Sequence, residues 1–190
     1  MTVFATERLD VTPWSHDPSD VERLLDTYSR WEVAQWLGAT PRALASLDEA
    51  RGAVDRWAAR STVEGYGVWS VRRRSDGFIV GTVLLVPLPS SESTAGASGG
   101  EVEVGWHLHP DSWGQGYATE AARGALGYGF GRGLTEIYAV VRPGNERSRA
   151  VCRRLGMTPL GRTERWYGTE LEAFRVTTGE FLEKAAHSHR

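Results

Sequence analysis

Residues Glu101–Ala125, EVEVGWHLHPDSWGQGYATEAARGA, read as a strand, a glycine-bearing turn and the opening of a helix. Val102, Val104, Trp106 and Leu108 alternate with Glu101, Glu103, Gly105 and His107, the period-two pattern of a strand with one apolar face. Pro110 and Asp111 end that pattern, because proline cannot continue a hydrogen-bonded ladder and the pair favours a turn. After Gly114-Gln115-Gly116-Tyr117, the residues Ala118, Ala121, Ala122, Ala125 and Leu126 fall on one face of a helix.

A strand that feeds a short glycine turn and a helix N-terminus is a place for an anion. The first N–H groups of a helix have no internal partner, and the helix dipole adds partial positive charge there. Glycines let the backbone come close to a phosphate. The same pattern also serves an ordinary strand-turn-helix junction, so spacing alone leaves both readings open.

WGQGYATEA, preceded by EVGWHLHP and followed by NERSRAVCRRLGM (145–157), resembles the GNAT superfamily of acetyl-CoA-dependent N-acetyltransferases, and within it the RimJ/RimL-like branch. Gly116 and Ala118 match that superfamily's pyrophosphate loop, while Trp113 stands where glutamine or arginine is usual, as in the RimJ/RimL-like branch. The resemblance runs loosely from Thr6 to about Val176 and is specific over Glu103–Met157. It implies an α+β fold, a three-layer sandwich on a mixed sheet of about six to seven strands, with a splayed strand pair at the cofactor site. Acetyl-CoA would be the co-substrate and a primary amine, on a protein N-terminus or a small molecule, the acceptor.

On this resemblance the backbone of Trp106, His107 and Leu108 would hold the pantetheine arm. Trp113, Gly114, Gln115, Gly116, Tyr117, Ala118 and Thr119 would form the diphosphate loop, with Asn145 on the pantetheine and Ser148 near the thioester sulfur. Glu103 would be the general base, directly or through water, which suits a carboxylate only if its pKa is raised or water relays the proton. His107, on the same strand face, is a second candidate base. The plain alternative for these polar residues is a solvated strand face, and for Asn145 a turn residue in Pro-Gly-Asn. The superfamily's tyrosine acid, about seven residues beyond the asparagine, falls here on Cys152, so Ser148, Tyr138 or solvent would have to serve. Cys152 reads as a small core residue.

The rest of the chain fits one domain. It has 190 residues, a net charge of −2 and one cysteine, with no basic patch for nucleic acid and no apolar run of membrane length. A cytoplasmic protein is the expectation. Strands are expected over 8–12, 66–73, 78–86, 101–108, 134–141, 157–162 and 170–176. Helices are expected after Asp17, over 47–59, 117–131 and 147–155, and over 180–186 in a short C-terminal tail of about 179–190. Residues about 88–100 (LPSSESTAGASGG) read as a flexible loop. His107 and His109 at strand spacing make a weak metal pair without a third donor, and no metal is expected. Many relatives in the superfamily dimerise, but no heptad or apolar patch points to a homodimer. The rival to an enzyme is a non-catalytic acyl-CoA-binding or regulatory protein of the same fold.

Overall fold

The computed structural model describes residues 1–61, 65–89 and 98–187. In chain order these form β1 (Phe4–Ala5), β2 (Leu9–Pro13), α1 (Pro18–Ser29), α2 (Trp31–Ala34), α3 (Leu47–Arg60), β3 (Gly67–Arg73) and β4 (Ile79–Pro89). There follow β5 (Ser98–Leu108), α4 (Tyr117–Phe130), β6 (Glu136–Val141), α5 (Glu146–Leu155), β7 (Thr158–Thr163), β8 (Leu171–Thr177) and α6 (Thr178–His187). The strands make one mixed sheet in the order β1-β2-β3-β4-β5-β6-β8-β7. Every neighbouring pair is antiparallel except β5 and β6, which run parallel.

Local sequence explains the helix ends. Ser46 accepts the N–H of Glu49 at 3.2 Å and so caps α3, and Pro18 opens α1 where a missing N–H costs nothing. Gly156 ends α5 in the left-handed region, φ 72°, where L side chains are disfavoured. On one side of the sheet α4 and α5 set Ala121, Ala122, Ala125, Leu126, Val151 and Cys152 against Val11, Val71, Val83, Val104 and Ile137. Burying a side chain such as Leu126 contributes about 2 kcal/mol, which offsets the glycines inside α4. On the other side Val21, Leu24, Tyr28, Ala53 and Val54 of α1 and α3 pack with Trp14 and Ile79. Helices on both faces give the three layers expected.

Two expectations are corrected. The sheet has eight strands instead of six or seven; the extra one, β1, is two residues long and shows no alternation. The loop about 88–100 is shorter than expected, because Leu88 and Pro89 belong to β4, Ser98–Gly100 belong to β5, and Pro89 pairs with Ser98. A ladder uses backbone groups, which small polar residues supply without an apolar pattern to mark them; residues 90–97 lie outside the described residues. In the tail, where a helix is expected over 180–186, α6 packs Phe181 against Phe130 with ring centroids 5.2 Å apart; 188–190 lie outside the described residues.

β4 and β5 approach closely at Gly81. A Cβ there would stand 2.4 Å from the His107 carbonyl oxygen and 2.6 Å from the Leu108 Cα, both backbone atoms. Gly81→Ala is therefore expected to destabilise the fold by about 3 kcal/mol, or roughly 10 °C in melting temperature by calorimetry. An unchanged melting point would show that the two strands are looser than described.

Candidate active site

The alternation of β5 sends Val102 and Val104 into the core beneath α4 and turns Glu103 and His107 to the opposite face. That face is covered. Tyr28 of α1 and Tyr167 of the β7–β8 connection lie on it, so the plain reading of a solvated face does not hold.

β5 pairs with β6 at Glu103 and Tyr138. Beyond that point a cavity of about 620 Å³ lies between Gly105–Leu108 of β5 and Ala139–Val141 of β6. This is the splayed pair. The cavity runs on to the first turns of α4 and α5, and its size falls within the usual range for a small-molecule site. Glu103, Trp106, His107, Leu108, Trp113, Gly114, Gly116, Tyr117, Ala118, Thr119, Asn145 and Ser148 all line it. Gln115 does not: its side-chain amide donates to the Asp111 carbonyl at 3.1 Å, and its own carbonyl accepts from Arg8.

At one end stands the N-terminus of α4. Gly116 is its N-cap at φ 81°, and no side chain caps it. The first internal bond runs from Glu120 N–H to the Gly116 carbonyl at 3.0 Å, so the N–H groups of Tyr117, Ala118 and Thr119 precede the ladder. With the dipole, they make an anion site. Trp113 fixes the turn through its indole N–H, which donates to the Leu108 carbonyl at 2.9 Å. The Arg147 guanidinium stacks over the Trp113 ring at 4.2 Å, and Arg142, Arg147 and Arg154 all line the cavity. Sequence reasoning missed these three arginines, although the basic run within 142–154 was there to be read.

Glu103 is only 9 % exposed. Burial pushes its pKa up to about 7, against the lowering effect of the Tyr167 hydroxyl, which donates to Oε2 at 2.5 Å. Burial pushes His107 the other way, to about 4, so its imidazole is neutral at pH 7. Its Nδ1 lies 3.0 Å from the Tyr28 hydroxyl, which donates to Thr82 Oγ1 at 2.8 Å. Of the two candidate bases, Glu103 has the proton affinity suited to neutral pH.

Asn145 caps α5: its Oδ1 accepts the Ser148 N–H at 3.2 Å. It thus satisfies the turn reading while still facing the cavity. Cys152 is fully buried, with its thiol pushed up to about 12 by burial, and behaves as core. Tyr138 does not line the cavity; its hydroxyl donates to Glu136 at 2.9 Å. His109 is held between Asp26 and Asp111 at 3.0 and 2.9 Å. Among the described residues no group of three or more His, Cys, Asp or Glu could hold a metal. Nor is any described helix long and apolar enough to cross a membrane.

Known proteins share this fold. Among solved structures, RimL, a ribosomal L7/L12 alpha-N-protein acetyltransferase in complex with coenzyme A, superposes with a TM-score of 0.75 at 14% identity, over 95% of this chain and 99% of that one. An acetyltransferase of the GNAT family from Bacillus anthracis gives 0.72 at 22% identity, over 93% and 98%. In sequence, the chain is 35% identical over 99 residues to the FsC-acetyl coenzyme A-N(2)-transacetylase of Aspergillus fumigatus, which is 52% of this chain and 41% of that protein. The chain thus spans less than half of that relative's length. The family described as the Acetyltransferase (GNAT) domain matches residues 8–158, the stretch that carries β2 to β6, the uncapped α4 and the cavity between β5 and β6, and the chain belongs to that family.

Proposed function

We propose that this chain, as a single domain, transfers the acetyl group of acetyl-CoA to a primary amine, in the manner of the RimJ/RimL-like branch. One observation carries the reading. A single cavity holds the uncapped N-terminus of α4 at one end and, at the other, a buried carboxyl that titrates near pH 7.

The residues present fit acetyl-CoA. The N–H groups of Tyr117–Thr119, together with Arg142, Arg147 and Arg154, suit phosphates, and the edge of β5 at Trp106–Leu108 offers peptide groups to the pantetheine amides. Asn145 lies at the same wall. Bound acetyl-CoA supplies the acetyl group already activated as a thioester. Glu103 takes the proton of the acceptor ammonium, directly or through water, so that the nitrogen lone pair can form the new C–N bond. As the C–S bond breaks, the Ser148 hydroxyl, in the cavity wall, donates a hydrogen bond or a proton to the departing sulfur. The acceptor amine belongs to a protein N-terminus or a small molecule, and the setting is cytoplasmic, where a lone buried thiol stays reduced.

A second reading, a non-catalytic acyl-CoA-binding protein, is favoured by one feature. The position of the superfamily's tyrosine acid is filled by Cys152, buried and protonated. Calorimetric titration with acetyl-CoA, with NAD as the control ligand, tests what both readings share. Saturable heat with acetyl-CoA alone is expected. Equal or absent heat from both would contradict each.

A further inference from the structure

Three successive residues of the β7–β8 connection reach across to β5. Arg165 pairs with Glu101 Oε1 at 3.0 Å, the Trp166 indole N–H donates to Glu101 Oε2 at 3.0 Å, and the Tyr167 hydroxyl donates to Glu103 Oε2 at 2.5 Å. One short segment thus holds both carboxylates on this face of the strand. Trp166 anchors the segment: it is buried, and it packs against Tyr138 with ring centroids 5.4 Å apart. Tyr167 has φ 61°, and among the described residues it is the one non-glycine in the left-handed region. A bulky side chain is an outlier there. Such conformations persist where the surroundings over-determine them, and they gather at functional sites.

Glu103 lines the cavity and Tyr167 does not. We propose that Tyr167 is the positioning residue of the base, its hydroxyl holding Oε2 of Glu103 so that Oε1 is the oxygen presented to the acceptor's proton. The proposal rests on the acetyltransferase reading above. Tyr167 donates its hydrogen bond and keeps its proton throughout, because burial and then the Glu103 charge hold its phenol far above the range in which it could ionise. Donation to a carboxylate favours the charged form, so the phenol offsets part of the burial that would otherwise leave Glu103 protonated at neutral pH.

The other charged and titratable groups near the pair are accounted for. Glu101 on β5 is engaged by Arg165 and Trp166, and the Tyr138 hydroxyl on β6 by Glu136, which also faces Arg175 of β8. Arg60 of α3 acts on Tyr167 through its charge alone, and His107 is neutral at pH 7. None of these donates directly to Glu103 in place of Tyr167.

The test is a carboxyl titration of the full chain carrying 13C-labelled glutamate, with the Glu103 signal assigned by its loss in Glu103→Gln. The midpoint in Tyr167→Phe should rise by about one pH unit, the worth of one hydrogen bond to a charged group. The acid limb of the pH–rate profile for CoA release should move with it, while the fold, read from the amide spectrum, stays the same. An unchanged midpoint would overturn the positioning role. A further measurement needs no variant: the Tyr167 hydroxyl proton of the wild type should resonate far downfield and shift with the Glu103 midpoint, and a signal indifferent to that titration would equally overturn it. If the midpoint moves but Glu103→Gln transfers acetyl at the wild-type rate, the base assignment fails instead, and the hydrogen bond is structural.

Discussion

Glu103→Gln is expected to lower acceptor-dependent CoA release by roughly 10²- to 10⁴-fold, the usual worth of a general base. Gln keeps the shape and can still accept from Tyr167, but it cannot take a proton. Wild-type activity should rise with pH through about 7, where the Glu103 carboxyl ionises, and the residual activity of the variant should lack that limb. The same substitution should stabilise the fold at high pH. The carboxyl titrates at 4.5 when exposed and at about 7 in the folded chain, so the folded state binds the proton more tightly. Stability from the protonated carboxyl is present in full below the unfolded value and is lost as pH rises through the folded one. Glutamine never ionises, so the variant should melt higher than wild type at pH 8 and close to it at pH 4. A protein that loses activity yet gains stability would identify a buried group kept for chemistry.

The second large effect is expected at the other end of the cavity. Gly116→Val places a β-branched side chain at φ 81°, a backbone conformation that costs about 1–2 kcal/mol for an L residue. Its Cβ would stand 3.4 Å from Arg8 Nη2, the guanidinium that also pairs with Glu120 and sits over the Tyr117 ring. That contact is tolerable, so the cost lies in the backbone: relief of the strain at φ 81° would turn the first N–H groups of α4 away from their aim. Acetyl-CoA affinity should fall about 10²-fold, followed by the fluorescence of Trp106 and Trp113 in the cavity wall. Unchanged affinity would show that the phosphates are held by the arginines alone.

Much of this was legible in the sequence because it is local. The alternation of Val102–Leu108, the glycines at 114 and 116 and the 3.6 period of Ala118–Leu126 each follow from the residue and its near neighbours. Asn145 and Gly156 likewise mark the two ends of α5 by their own chemistry. What was not legible depends on partners distant in the chain. Glu103 meets Tyr167 across 64 residues, and His107 meets Tyr28 across 79. Such long-range packing buries both groups, and burial is what moves one base to about 7 and the other to about 4. The glycine-serine start of β5 was hidden for another reason: its ladder with β4 is made by backbone, and side-chain periodicity cannot report it.

Whether the cavity performs transfer or only holds its ligand is decided by one measurement. The protein is incubated at pH 8 with acetyl-CoA and a panel of primary amines that spans peptide N-termini, amino acids and amino sugars. Products are read by mass spectrometry alongside free CoA thiol. The account predicts an N-acetylated product from at least one amine, one thiol released per acetyl transferred, and neither from Glu103→Gln. Saturable acetyl-CoA binding with no N-acetylated product from any of these amines would contradict the transferase reading and leave an acyl-CoA-binding protein in its place.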